Sequence, residues 1–429
     1  MKFLVVIVSS LLGLRAQAQA YTSYFTGSTD DSETPAMGGV CLMGGAGESD
    51  PAAAWFLEKS NGGDILVLRA SGADGYNNYF YEDLGVSVNS VETIVFHDAS
   101  AADDAYIHDR IKKAEAIWFA GGNQWTYISY WRNTPIDSLL RKGINERNVV
   151  VGGTSAGMAI LGDVYFSAEY GTVTSDEALN NPFHPNITAD SSRFIDAPYL
   201  DETITDTHYD DPDRKGRHVV FISRMLMDYG MSAKGIACDE YTAVCIDTDG
   251  KANVYGAFPD YDDNAYFIQT NCDLIDDYPE TYEEEVPLTW DLDQEALRVY
   301  AVKGTPDGDG YFDLSTWKTG SGGEWLFWSV SEGVLKELIG EGPVCDLSYR
   351  NTIEQNDIQV YFNQDILKVQ SESPIKKIQI TDLSGSSLFQ TEVLMSNLLL
   401  WQTDTGFLPE IFVVSVITET RIVNKLVVH

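Results

Sequence analysis

Between residues 38 and 161 short apolar runs alternate with stretches of helical pattern, and few folds accommodate that alternation. Gly39–Met43, Asp64–Arg69, Glu92–Phe96, Ala116–Ala120 and Val149–Val151 read as buried strands, because apolar residues run on without polar alternation. Pro51–Lys59, Asp103–Ala114 and Thr134–Lys142 carry helical patterns between them. The order predicts an α/β fold: a mainly parallel sheet with helices on both faces and ligands beyond the carboxyl ends of its strands. Glycine-rich turns at 44–47, 121–122 and 152–153 fall at such ends. No Lys-Ser/Thr follows Gly44–Gly47, so that turn reads as structural and not as a phosphate loop.

The last of these turns opens into Gly153-Thr154-Ser155-Ala156-Gly157, a G-x-S-x-G between a strand and a helical stretch. Such a turn lifts a serine hydroxyl clear of the sheet and aims unsatisfied helical N–H groups at the atom it attacks. Ser155 is thus the candidate nucleophile, and a serine needs a base held by an acid. Among six histidines, His97 ends a strand, His108 lies on a charged helix and His184 in a Pro-flanked loop. His218 lies at a basic helix start and His429 ends the chain. His208, in Thr205-Asp206-Thr207-His208-Tyr209 just past an apolar strand, has the best position for a base. Asp239 and Glu240 interrupt the otherwise apolar Gly235–Ala243, where a charge needs a reason; either could orient an imidazole. The order Ser–His–acid departs from the Ser–acid–His order of α/β-hydrolases.

A net charge of −37 argues against nucleic acid and anionic membrane surfaces as partners. Residues 1–20 resemble a secretory leader: Lys2, an apolar core over Phe3–Leu14, and small-x-small sites at Ala16-Gln17-Ala18 and Ala18-Gln19-Ala20. The leader predicts export through a periplasm to a secreted or cell-surface location, with no membrane span once it is removed. Five cysteines then meet an oxidising setting; Cys238 and Cys245, flanking one predicted strand, read as buried hydrophobes. No cysteine shows metal spacing, and Asp307-Gly308-Asp309-Gly310 lacks the later ligands of a calcium loop, so neither metal nor cofactor is expected. After Gly340–Ser348, a linker, the pattern becomes short alternating strands, from Ile358–Phe362 to Ile422–Val428, which predicts a C-terminal all-β sandwich.

Four blocks, Phe119–Gln124, Gly153–Gly157, Asp206–Tyr209 and Gly235–Ala243, resemble those of cyanophycinases. These belong with aspartyl dipeptidases among serine peptidases on a flavodoxin-like, class I glutamine-amidotransferase-type fold. The resemblance covers residues 38–340 and implies Ser155 as nucleophile, His208 as base and Glu240 as its orienting acid. It implies oxyanion donors at the Gly122 and Ala156 N–H groups and substrate contacts at Gln124, Asp206, Thr207, Arg214 and Arg217. Three arginines commonly follow the family's histidine; here the first offset is Pro212, and Thr207 replaces a common glutamine. A basic helix start paired with Asp210, Asp211 and Asp213 is the alternative reading of the two arginines. The implied activity is cofactor-free hydrolysis of cyanophycin, an arginine-bearing poly-aspartate, to β-Asp-Arg dipeptides. An aspartyl dipeptidase or other exopeptidase of the same family, and an inactive surface binding protein, are its rivals, and a homodimer is left open.

Ile366–Val369, Ile378–Gly385 and Lys425–Val428 resemble the C-terminal sorting domain of type IX secretion cargo, which implies the secretion machinery as a partner. The usual Tyr-Pro-Asn-Pro opening is Tyr361-Phe362-Asn363-Gln364 here, and the usual late glycine is Ile411. The expected organisation is thus a leader over 1–20, a catalytic domain over 21–343 and a sorting domain over 344–429.

Overall fold

The parallel order is kept only at the heart of the main sheet. A computed structural model describes residues 19–191, 194–274 and 277–345, and beyond them stretches of residues 358–428. The expected leader (but for its last two residues), His429, the end of the linker, Gln364 and Ser384-Gly385 lie outside the described residues. The chain divides into two compact units, Met1–Cys345 and Asp346–His429.

In the first unit, β1 (Tyr21–Gly27), β2 (Val40–Met43), β3 (Asp64–Arg69), β4 (Ser90–Phe96), β5 (Ala116–Phe119) and β6 (Val150–Thr154) form one side of a ten-stranded sheet. The order β4-β3-β5-β6-β2 is parallel throughout. Val40 to Met43 and Ile117 to Phe119 are wholly inaccessible, as expected of strands covered on both faces. The cover comes from α1 (Asp50–Lys59), α2 (Gly75–Asn78), α3 (Ala105–Lys113), α4 (Gln124–Trp131) and α5 (Pro135–Arg147). The Thr134 hydroxyl accepts from the Ile136 N–H and Pro135 opens the first turn of α5. Asn148 then ends the helix in the left-handed conformation, past the Lys142 at which its pattern fades. After β6 come α6 (Ala156–Ala159), the β7 (Tyr165–Phe166) and β8 (Ala189–Asp190) ribbon, α7 (Ser175–Asn180), β9 (Thr203–Asp206), α8 (Lys215–Tyr229) and β10 (Lys234–Cys238).

The remaining strands extend this parallel centre with antiparallel pairs. β1 pairs antiparallel with β4 at one edge. Beyond β2, the strands β11 (Ala243–Ile246), β12 (Lys251–Tyr255), β15 (Tyr311–Asp313) and β16 (Gly320–Ser321) add antiparallel pairs, so the flavodoxin-like sheet is mixed. β13 (Asn264–Thr270), β14 (Leu297–Lys303), β17 (Gly323–Ser331) and β18 (Val334–Ile339) join β10 and β9 in a second, six-stranded sheet. Short turns join the antiparallel pairs β11–β12, β15–β16 and β17–β18, whereas each parallel pair needs a crossover.

Cys238 and Cys245 do not flank one strand but lie on separate strands, β10 and β11, and both are buried. Cys245 faces Cys41 across the β2–β11 pair with sulfurs 3.7 Å apart, while Cys272 and Cys345 form a disulfide. Among the described residues no helix is long and apolar enough to cross a membrane.

The second unit contains β19 (Ile358–Asn363), β20 (Ile366–Ser371) and β23 (Leu400–Asp404) in one antiparallel sheet. β22 (Ser387–Glu392), β21 (Lys377–Thr381), β24 (Ile411–Ile417) and β25 (Ile422–Val428) form another. Its buried side chains alternate, as at Leu367 and Val369, Ile378 and Ile380, and Val414 and Val416, the period of a half-buried strand.

Candidate active site

Ser155 stands where β6 turns into α6, with φ 52° and ψ −117°, a conformation that L-residues hold only when their surroundings impose it. Those surroundings are glycines. A Cβ at Gly153 would lie 2.5 Å from the Gly157 carbonyl carbon, and one at Gly157 only 1.9 Å from the Phe119 oxygen. Only glycine lets the turn close this tightly, which is the physical content of the motif.

His208 follows β9 and also has positive φ, 47°. Its Nε2 lies 2.8 Å from the Ser155 Oγ, and its Nδ1 lies 2.6 Å from Glu240 Oε1. Glu240 sits in the connection from β10 to β11, and its N–H donates to Asp210 Oδ1 at 2.8 Å. The structure thus brings Ser155, His208 and Glu240 into one chain of hydrogen bonds. With Nδ1 protonated and donating to Glu240, Nε2 is free to accept the serine proton. The histidine and glutamate side chains are each about a quarter exposed, at 24% and 22%.

The other described histidines are engaged elsewhere. His97 bonds Thr22 Oγ1, His108 the Ala102 carbonyl, and His184 the Asn186 N–H. His218 is wholly buried edge-on to Tyr209, and burial pushes its imidazole down to about 4, so it stays neutral. Between the two acids left open by the sequence, geometry separates the roles. Asp239 turns inward and accepts from the Asn264 N–H at 2.8 Å, while Glu240 meets the histidine.

Burial pushes the Asp239 carboxyl up to about 7, against the pull of the Asn264 hydrogen bond. A carboxyl protonated more readily in the folded chain stabilises it at low pH, and that contribution is lost as pH rises from about 4 towards 7. Asp239→Asn is therefore expected to raise the melting temperature at pH 8 and to raise it much less at pH 5. Equal shifts at the two pH values in a calorimeter would refute this assignment.

Gly121 borders the serine, since a Cβ on it would stand 3.7 Å from the Ser155 Cβ, whereas a Cβ on Gly122 would meet the Tyr127 hydroxyl at 2.7 Å. Ala156 opens α6 directly after the nucleophile. Gln124, the first residue of α4, is half-buried and directs Nε2 at the Phe166 carbonyl at 3.4 Å. The remaining expected substrate contacts divide. Arg214 is half-buried beside the relay and donates from Nη1 to the Thr207 carbonyl at 2.9 Å. Burial, then the charge of Arg217, pulls its guanidinium below the usual arginine range.

Arg217, Asp206 and Thr207 do not meet the expectation of substrate contact. Arg217 and Asp206 are 3% exposed, and Thr207 is 4% exposed. Arg217 Nε and Nη2 donate to the two Asp206 oxygens at 2.9 and 2.5 Å, and Nη1 donates to Thr172 Oγ1 at 3.0 Å. Asp206 Oδ1 also accepts the Thr207 N–H at 2.8 Å. Nor is Arg217 paired with Asp210, Asp211 or Asp213, as the alternative reading had it. An internal carboxylate supplies a partner that sequence spacing did not reveal. The Gly44–Gly47 turn, which the sequence marks as structural, has its Gly45 backbone against the His208 ring. Clustered glycines at a strand end were its only signal.

The model for Peptidase family S51 matches residues 73–253. A cyanophycinase of Synechococcus elongatus is 26% identical over 206 residues, 47% of this chain and 59% of the relative. One of Trichormus variabilis is 20% identical over 176 residues, 41% of this chain and 53% of the relative. The chain thus spans a little over half the length of these curated relatives. The crystal structure of a peptidase from an acI-B1 Actinobacterium is 16% identical, with a TM-score of 0.37, over 52% of this chain and 89% of that one. The part of the chain that is similar to Peptidase family S51, residues 73–253, holds Ser155, His208 and Glu240, so the whole relay lies inside the matched region.

Proposed function

We propose that the chain is an active serine peptidase that hydrolyses cyanophycin or a related β-aspartyl peptide. The observation that carries the reading is the unbroken relay from Ser155 Oγ through His208 to Glu240. His208 Nε2 takes the hydroxyl proton as Oγ attacks the scissile carbonyl, and Glu240 steadies the imidazolium through Nδ1–H. The developing oxyanion leans on the N–H groups of Gly122 and Ala156. The proton then passes from His208 to the departing amine, leaving an acyl-enzyme on Ser155 that water resolves by the same relay run in reverse. Neither metal nor cofactor takes part in these steps.

Similarity to cyanophycinases supports the poly-aspartate substrate, with Arg214 as the cation beside the relay that grips an aspartyl carboxylate. The enclosure of Arg217 and the proline at 212 favour a second specificity in the same class, an aspartyl dipeptidase. Incubating the mature protein and its Ser155→Ala variant with cyanophycin and with α-Asp dipeptides, and reading products by mass, separates the two. Release of β-Asp-Arg by the mature protein alone supports the first reading, and cleavage confined to the dipeptides supports the second. No cleavage of either, with ligand still bound, points to a binding protein. We further propose export by the N-terminal leader, with the C-terminal sheets serving as a type IX sorting domain. Chain purified from the outside of the source cell, lacking residues 1–20, is the expected result.

A further inference from the structure

The last residue of β2 and the two glycines after it present three successive carbonyl groups, and each is taken by a different segment of the relay. The Ser155 N–H donates to the Met43 oxygen at 3.0 Å. The His208 N–H donates to the Gly44 oxygen at 2.9 Å. The N–H of Tyr241, the residue after Glu240, donates to the Gly45 oxygen at 3.0 Å. The acceptors are neighbours in the chain, whereas the donors come from three loops far apart in sequence. We propose that Met43-Gly44-Gly45 is a backbone template that sets the positions of nucleophile, base and acid relative to one another, with Gly45 as a positioning residue.

The side chains missing from this stretch support the assignment. Gly45 holds φ +113°, where an L-residue is strained, and a Cβ there would stand 2.5 Å from His208 Nε2 and 2.6 Å from Cε1. Nε2 is the nitrogen that meets Ser155 Oγ, so one methyl group at Gly45 would strike the atom that must take the proton. A Cβ at Gly44 would lie 2.0 Å from the Asp239 oxygen, the backbone just before Glu240. Gly47 differs: a Cβ there meets only the ring edge of Tyr241, at 2.9 and 3.0 Å, and that ring is exposed and free to swing aside. The template also explains why glycines cluster here although no phosphate signature follows them.

The inference rests on the relay being catalytic but not on which peptide is cut, so its test uses a probe indifferent to substrate. A small fluorophosphonate reports the reactivity of Ser155 alone. Gly45→Ala is expected to slow labelling by about 100-fold or more, the scale of a 1 Å misplacement at a reacting centre. Its circular dichroism should match the parent's, while Gly47→Ala should label at close to the parental rate. A folded Gly45→Ala variant that labels within about threefold of the parent, or equal losses in both variants, overturns the proposal. Amide hydrogen exchange on the unaltered chain decides the matter should Gly45→Ala fail to fold. Protection of the His208 and Tyr241 amides, both in loops, is expected, and exchange at open-loop rates refutes the template. A parent that never labels while those amides stay protected removes the hydrolase reading and leaves the template standing as architecture.

Discussion

Ser155→Ala is expected to lower turnover of any substrate by about a million-fold, the loss found when a serine relay loses its nucleophile. His208→Ala should cost nearly as much, and the double variant no more than either alone, because the two groups act as one unit. The 2.8 Å contact between Nε2 and Oγ is why: the hydroxyl is a poor nucleophile until its proton has somewhere to go. Glu240→Gln keeps the shape but favours the wrong imidazole tautomer, and a loss of about 10⁴ in kcat is expected. Progress curves with the substrate found by the cleavage assay, together with unchanged melting temperatures, provide the check. A Ser155→Ala variant within about tenfold of the parent would transfer the chemistry to another group.

Arg217→Met is expected to cost about 3–5 kcal/mol of stability, because it strands a buried carboxylate. Asp206→Asn should cost a comparable amount, and the pair of substitutions together less than their sum. Burial alone would raise the Asp206 carboxyl, but the charge and hydrogen bonds of Arg217 hold it below the usual carboxylate range. Its contribution is therefore present above the unfolded value near 4 and lost as pH falls through the lower folded one. Denaturant titrations of the four proteins at pH 7 test the coupling. Were Arg217 a substrate ligand instead, Arg217→Met would raise KM and leave the denaturation midpoint untouched.

Much of this was legible in the chain. β-branched and aromatic runs marked each inner strand, because a strand covered on both faces carries no polar alternation to confuse the reading. Ser155 and His208 could be named because glycines and a strand end each leave a local trace, whereas the apolar surroundings left Asp239 and Glu240 both open and only the family resemblance chose between them. α4 was missed because Gln124–Trp131 is aromatic nearly all round and shows no polar face. β1 was missed because Tyr21–Gly27 mixes Thr and Ser with tyrosines at an exposed edge. The fate of Arg217 could not be read at all, since Asp206 becomes its partner only when β9 and α8 pack together. The same holds for Met43-Gly44-Gly45, where peptide groups carry the role and side chains leave no record.

The serine rides on the ten-stranded sheet, the histidine on the six-stranded one, and the glutamate on the short bridge from β10 to β11 between them. The two sheets share one core, in which Val40 and Leu42 of the first pack with Ile236 and Phe267 of the second. The proton path therefore spans both sheets, and what pins its three loops to a single strand end is a row of peptide carbonyls that no side-chain substitution removes.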